Sequence, residues 1–114
     1  MGYFESYQQT VFFDFPVLYA PGLTDTANVY EVNYLSTRNY TLIATVANIN
    51  TSVVVRLDGS IDKINFGAMI SNTITQNGTY TYNVSGFPVR IVRANFFAET
   101  GGTEATVKFQ IAAN

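Results

Sequence analysis

Three oxygen-bearing side chains at alternate positions are the first candidates for chemistry in this sequence. Asp58, Ser60 and Asp62 lie in the stretch VVVRLDGSIDKINFG. Their spacing is that of the first oxygen ligands in a calcium-binding loop. The stretch therefore poses a choice between a metal site and the end of a strand followed by a turn.

The calcium interpretation fails at two positions that an EF-hand loop requires. Counted from Asp58, the required Gly at position 6 is Lys63 and the required Glu at position 12 is Met69. We therefore interpret Asp58 as a residue on the solvent face of its strand, followed by a bulge or kink at Gly59-Ser60 and a turn over residues 62–65. A looser calcium site that uses Asp58 and Asp62 stays open as the alternative.

The residue inventory argues against catalysis. The chain has 114 residues and contains no His, Cys or Trp. Zinc sites and most transition-metal sites lose their usual ligands, and the common pairs of nucleophile and base lose their members. A hydrolase would need two carboxylates facing each other in a cleft, and the sequence offers no such pairing. The sequence thus predicts a protein that is not an enzyme and needs no cofactor.

The charge of the chain excludes two classes of partner. Six Lys and Arg against eight Asp and Glu give a formal net charge of −2. Nucleic-acid binding needs a surplus of basic residues, and so does binding to anionic membranes. We expect neither nucleic acid nor membrane as a partner.

Hydrophobic residues recur with period 2 rather than with the period of a helix, which indicates an all-β chain. Thr, Val, Ile, Tyr and Phe dominate, as is typical of strands. One or two strands are predicted before residue 36 and six after it, over residues 9–15, 29–35, 39–49, 53–58, 66–70, 79–84, 89–98 and 105–113.

The turn residues favour an antiparallel arrangement of these strands. Asn77-Gly78 predicts a two-residue hairpin, and Gly101-Gly102 lies in the five-residue connection between the last two strands. Ser85-Gly86 marks a further turn. Short strands at this spacing predict an antiparallel β-sandwich, jelly-roll-like, over residues 29–114.

Residues 1–28 are predicted to be an N-terminal arm and edge segment rich in aromatic side chains. A small sandwich has difficulty burying all of them, and Tyr and Phe are enriched at interfaces. The alternative is an extra edge strand that packs on its own domain. The predicted protein-contacting residues of the arm are Tyr3, Phe4, Tyr7, Phe12, Phe13 and Tyr19.

Two arginines and two tyrosines complete the candidate residues. Arg90 and Arg93 are predicted to contact a protein partner, because Arg is favoured at interface hot spots; ion pairs with Asp58 or other carboxylates are the alternative. Tyr80 and Tyr82 would suit a sugar platform, but their alternation with Thr and Asn predicts that they belong to the core.

Two long stretches of the sequence, VVVRLDGSIDKINFGAMI and ITQNGTYTYNVSGFPVRIVRANFFAETGGTEATVKFQIAAN, resemble small β-sandwich proteins of tailed bacteriophages. The shared pattern comprises a Gly-Ser-x-Asp turn, a Gly-containing hairpin, a strand flanked by arginines and a Gly-Gly turn into the last strand. It spans about residues 40–114 and departs at Lys63 and Phe66, where the pattern often has Gly and Trp.

The resemblance implies a structural component of the virion. Its specific expectation is a capsid decoration (cement) protein on the capsid exterior that binds the assembled major capsid protein and copies of itself. The alternative is a carbohydrate- or receptor-binding module of a phage fibre or tail. Such a module predicts exposed Tyr and Asn clustered at one end of the sandwich.

Overall fold

The computed structural model describes residues 11–14, 17–21, 29–31, 39–87 and 89–113. Eight strands lie within these ranges, and the described part of the chain has no helix that is long and apolar enough to cross a membrane. The strands are β1 (Val11–Asp14), β2 (Val29–Glu31), β3 (Asn39–Ala47), β4 (Ser52–Ser60), β5 (Phe66–Ile74), β6 (Gly78–Ser85), β7 (Ile91–Thr100) and β8 (Thr106–Ala113).

These strands form two four-stranded sheets with jelly-roll topology. Sheet A has the order β1-β8-β3-β6 and sheet B the order β2-β7-β4-β5, and every neighbouring pair is antiparallel. The pairs β4·β5, β3·β6, β2·β7 and β1·β8 alternate between the two sheets. This is the pattern of a long hairpin rolled onto itself, as in jelly rolls. The predicted antiparallel, jelly-roll-like sandwich is confirmed.

The core lies between the inner faces of the two sheets, as period-2 alternation predicts. In β3 the buried positions alternate with outward ones, and the same holds in β8. The largest buried side chains are aromatic, and each comes from a different strand. The side chains that are less than 2 % exposed and largest in volume include Tyr40, Phe96, Phe109, Leu42, Leu57, Ile74 and Ile111.

Part of the predicted N-terminal segment is an edge element of sheet A. Val11 to Asp14 pair with residues 113 to 110 of β8. Further on, Leu18 is buried in the core and exchanges two backbone hydrogen bonds with Val107. The alternative of an edge strand packed on its own domain therefore describes these residues, whereas residues 1–10 lie outside the described ranges.

The predicted hairpin at Asn77-Gly78 is wrong. Residues 75–77 connect β5 of sheet B to β6 of sheet A, so the two strands around this turn do not pair with each other. Asn-Gly suits any tight reversal that needs positive φ, and Gly78 has φ 151° here. Whether the chain returns to the same sheet is decided by which strand covers the apolar face.

Two details of sheet B also differ from the prediction. The strand expected over residues 66–70 runs from Phe66 to Ile74. The kink expected at Gly59-Ser60 is absent from β4, which continues through Ser60; the irregularities are bulges in its neighbours, at Met69 of β5 and Phe97 of β7. An extra residue in β5 interrupts its alternation, which hides the strand's length in the sequence.

Candidate functional site

A buried carboxylate lies on the outer face of sheet B, bound by two arginines. Asp58 Oδ1 accepts a hydrogen bond from Arg56 Nε at 3.0 Å and forms an ion pair with Arg56 Nη2, also at 3.0 Å. Asp58 Oδ2 accepts from Arg93 Nε at 3.1 Å and from Asn95 Nδ2 at 3.2 Å. The register explains the assembly, since Arg56 lies opposite Asn95 and Asp58 opposite Arg93 across the β4·β7 pair. We call these four residues, together with Phe66 and Phe97, the arginine cluster.

The prediction that Asp58 faces solvent is wrong in one respect. Asp58 is on the outer face, but its exposure is 0 % because the two arginine side chains lie over it. Each guanidinium also stacks on a ring: Arg93 lies 3.9 Å from the Phe66 centroid and Arg56 lies 4.5 Å from the Phe97 centroid. Long basic side chains with stacked rings can cover an outward carboxylate completely.

The two aspartates of the calcium alternative serve separate hydrogen-bond networks. The Asp58 oxygens are taken by the arginine cluster. Asp62 Oδ1 accepts from the backbone N–H groups of Asn65 and Ile64 at 2.7 and 2.9 Å, and these bonds hold the pKa of the Asp62 carboxyl well below its usual range. The predicted turn over residues 62–65 is confirmed, and its carboxylate acts on the turn's own backbone.

Exposed apolar side chains mark one end of the jelly roll. The β4–β5 turn and the β6–β7 connection meet there, joined by the hydrogen bond from Arg90 N to the Ser60 carbonyl. Ile61 and Ile64 are 68 % and 80 % exposed, and Phe87 is about half exposed. A mostly apolar cavity of about 480 Å³ is lined by Ile61 and Phe87 but not by Ile64. We call Ile61, Ile64 and Phe87 the apolar end.

The opposite end of the jelly roll is polar. The β3–β4, β5–β6 and β7–β8 connections meet there, and Ile49 N donates to Asn77 Oδ1 at 2.9 Å. A cavity of about 500 Å³ is lined by Asn48, Ile49, Asn50, Glu99, Gly102, Thr103 and Glu104. The carboxylate of Glu99 borders it: Oε2 accepts from the Ala105 N–H at 3.1 Å, and Oε1 is buried with no partner among the described residues. We call this region the polar end.

Only two of the predicted interaction residues of the arm, Phe12 and Tyr19, have side chains that the structure describes. Tyr3, Phe4 and Tyr7 lie outside the described residues, and for Phe13 the structure describes only its backbone pairing in β1. Phe12 and Tyr19 are 76 % and 65 % exposed. The Phe12 ring borders a groove of about 270 Å³ on the outer face of sheet A.

The two predicted arginines occupy different environments. Arg93 lies in the arginine cluster, so the alternative of an ion pair with Asp58 applies to it. Arg90 is exposed and lies just before β7, outside the strand that contains Arg93.

Several residues of the exposed surface escaped the sequence interpretation. Phe97 was not named as a candidate; it is the extra residue of the β7 bulge and is 49 % exposed. Ile61 and Ile64 carried a usable signal, since two isoleucines stand in an otherwise polar turn. Because neither isoleucine is buried, the turn exposes an apolar patch to water.

The sequence matches no protein-family model, and no curated protein is significantly similar to it. Among solved structures, the fold is similar to that of the SPBc2 prophage-derived protein YomS, with a TM-score of 0.61 and 9 % sequence identity. The alignment covers 93 % of this chain and 94 % of that chain. At this identity the likeness establishes a shared fold and nothing about individual residues.

Proposed function

We propose that this chain is a structural protein of a bacteriophage particle, and specifically a capsid decoration protein. It binds the assembled major capsid protein on the capsid exterior, contacts copies of itself and stabilises the shell without catalysing a reaction. A protein that binds only the assembled state stabilises that state by mass action.

Two lines support the phage assignment. The fold is similar to that of a prophage-derived protein over nearly the full length of both chains. The turn and strand motifs of residues 40–114 resemble small β-sandwich proteins of tailed phages. Neither line identifies a partner, so the specific role depends on the surface of the molecule.

The observation that carries the proposal is the apolar end. Ile61 and Ile64 are both more than two-thirds exposed. The turn that contains them is closed by hydrogen bonds to Asp62 and not by packing of the two isoleucines. The backbone of Phe87 is held by a hydrogen bond, which the Tyr40 hydroxyl donates to the Phe87 carbonyl oxygen at 3.1 Å. Burial of this hydroxyl raises the pKa of Tyr40. Exposed apolar groups on a fixed frame are typical of a protein-docking surface.

The experiment measures binding to shells that lack this protein, by co-sedimentation. The double variant Ile61→Thr/Ile64→Thr should bind the shells at least about 30-fold more weakly than wild type, the effect of losing a hot spot of about 2 kcal/mol. Its unfolding midpoint should be unchanged within error. The matched control is Ile43→Thr, on the outer face of sheet A, which should leave binding unchanged. Equal binding by wild type and the double variant would reject the apolar end as the docking surface.

Residues 1–10 provide a separate test of the arm. The deletion stops before Val11, because β1 pairs with β8 and Leu18 belongs to the core. We expect the truncated protein to keep the unfolding midpoint of the full chain and to lose occupancy on shells. Full occupancy after the deletion would remove Tyr3, Phe4 and Tyr7 from the proposed interface.

The polar end favours a second candidate function, a carbohydrate- or receptor-binding module of a fibre or tail. Exposed Asn48, Asn50 and Asn77 surround the region, and the unpartnered Glu99 Oε1 lies beside its cavity. Carboxylate and amide side chains that line a cavity are the groups that hydrogen-bond sugar hydroxyls. Tyr80 does not offer a free stacking face, since it is half-buried and its hydroxyl donates to the Gln76 carbonyl at 2.7 Å.

A glycan array decides this second candidate. Binding that disappears in Glu99→Ala and persists in Ile61→Thr/Ile64→Thr would support a sugar site at the polar end. The absence of any bound glycan would remove it and leave the shell-binding proposal untouched.

A further inference from the structure

The arginine cluster has more hydrogen-bond donors than its own carboxylate uses. A guanidinium carries five N–H donors. Arg93 donates to Asp58 from Nε, and no described residue accepts from its two Nη groups. Arg56 contacts Asp58 through Nε and Nη2. Among the described side chains of the cluster, two arginines against one aspartate carry a net charge of +1. The two side chains are 20 % and 24 % exposed, so part of each arginine reaches the surface.

The cluster is also rigid before any partner arrives. Asp58 fixes each guanidinium at one edge, while the Phe66 and Phe97 rings hold them from the side at 3.9 and 4.5 Å. Fixed donors lose little conformational entropy on binding, which favours affinity. Phe97, half exposed beside Arg56, adds an aromatic contact next to the unused donors. Arg and aromatic residues together are the typical composition of interface hot spots.

We propose that Arg56, Arg93 and Phe97 form a docking site for an acidic side chain of the shell protein. The Asp or Glu carboxylate accepts from the Nη groups that no described residue uses, and its aliphatic carbons pack on the Phe97 ring. The inference rests on the proposed function for the identity of the partner. Charge complementarity selects a carboxylate: the site is positive, whereas a chain of net charge −2 with only six basic residues is poorly suited to the phosphates of nucleic acid.

The binding test must not leave the buried charge of Asp58 without an arginine partner, because an unpaired buried charge strongly lowers the stability of the fold. The triple variant Arg56→Gln/Asp58→Asn/Arg93→Gln therefore neutralises the whole cluster with side chains of similar size. It removes two positive charges and one negative charge, a net change of −1. Lys108→Gln, on the exposed side of β8 in sheet A, makes the same net change elsewhere and is the matched control.

Shell binding by the triple variant should fall roughly 30-fold, and binding by Lys108→Gln should stay within about twofold of wild type. Phe97→Ala, which empties an exposed position, should weaken binding roughly tenfold. Equal losses in the triple variant and in Lys108→Gln would mean that only overall charge matters and would overturn the proposal. Unchanged binding in a folded triple variant would overturn it as well.

A second measurement separates failure of this site from failure of the proposed function. The Nε–Hε signals of Arg56 and Arg93 are followed by NMR while an acetylated, amidated tetraglutamate peptide is added to the full-length protein. We expect both signals to shift with tetraglutamate and not with tetraglutamine. If wild type binds no shells yet these signals shift, the function is wrong and the carboxylate site stands. If shells bind and the signals do not shift, the site is wrong and the function stands.

Discussion

The two ends of the jelly roll are built on different principles. At the polar end, connections that pass between the sheets hold one another: Asn77 accepts from Ile49 N, and Asn50 Nδ2 donates to the Gly101 carbonyl. At the apolar end, the β4–β5 turn is closed by Asp62, one of its own residues. Hydrogen bonds between loops carry stability, whereas a turn closed mainly by its own carboxylate does not need the side chains of Ile61 and Ile64 for its structure. Ile61 and Ile64 at the apolar end are therefore available to a partner.

Two glycines give the sharpest test of this difference, with the largest expected effect. Gly101 at the polar end and Gly86 near the apolar end share positive φ angles of 84° and 83°. A Cβ at Gly101 would overlap the Thr51 side chain, whereas one at Gly86 meets nothing within 4 Å. Gly86→Ala should cost about 1–2 kcal/mol for the left-handed backbone alone. Gly101→Ala should cost roughly 1–3 kcal/mol more from overpacking. Urea unfolding of both variants checks the expectation, and equal losses would show that the polar end is not the tighter one.

Asn77 tests the cross-linking of the polar end directly. Asn77→Ala removes the acceptor of the Ile49 N–H and should lower the free energy of unfolding by about 0.5–1.5 kcal/mol. Asn65→Ala is the counterpart in the turn of the apolar end, where only the side-chain bond to Asp62 Oδ2 is lost and both backbone bonds remain. We expect the smaller loss there. The comparison fails if denaturant titration ranks the two variants in the reverse order.

Asp62 predicts a small pH dependence confined to the apolar end. Its carboxyl has a lower pKa in the folded chain than in the unfolded chain, where the value is about 3.9, because backbone N–H groups of Asn65 and Ile64 bind the charged form. This stabilisation is complete above the unfolded pKa and is lost as the pH falls through the folded pKa. The free energy of unfolding of wild type should therefore fall more steeply below pH 4 than that of Asp62→Asn. The Asn side chain keeps an oxygen acceptor without the charge. Parallel curves from pH 6 to pH 2 would contradict the assignment.

The fold was predictable because alternation reports directly on burial. Tyr40, Leu42, Ala44 and Val46 are all buried as the period of β3 requires, and the same rule located β8. The turn at Asp62 was predictable too, since its bonds reach only two or three residues along the chain. The turn near Asn77-Gly78 was also predictable, but its hairpin pairing was wrong, because a local turn signal carries no information about which sheet receives the next strand.

The candidate site was harder to predict than the fold. Arg93 was recognised as a candidate, but its partner Asp58 lies 35 residues away along the chain and was assigned to solvent. The bulge at Phe97 in β7 moves Ala98 to the outer face, although alternation with Phe96 predicts that Ala98 faces the core. Sites assembled across strands depend on register, and one inserted residue changes every face beyond it.

The sequence by itself determined the all-β class, the positions of most strands, the buried face of each and the turn at residues 62–65. These features follow from interactions over a few residues and from the period of the strand. Only the tertiary structure decided the jelly-roll order, the burial of Asp58 beneath two arginines and the division into an apolar and a polar end. Each of these features requires strands that are far apart in the sequence to lie side by side. The pairing of those strands is set by which of their faces cover the common core.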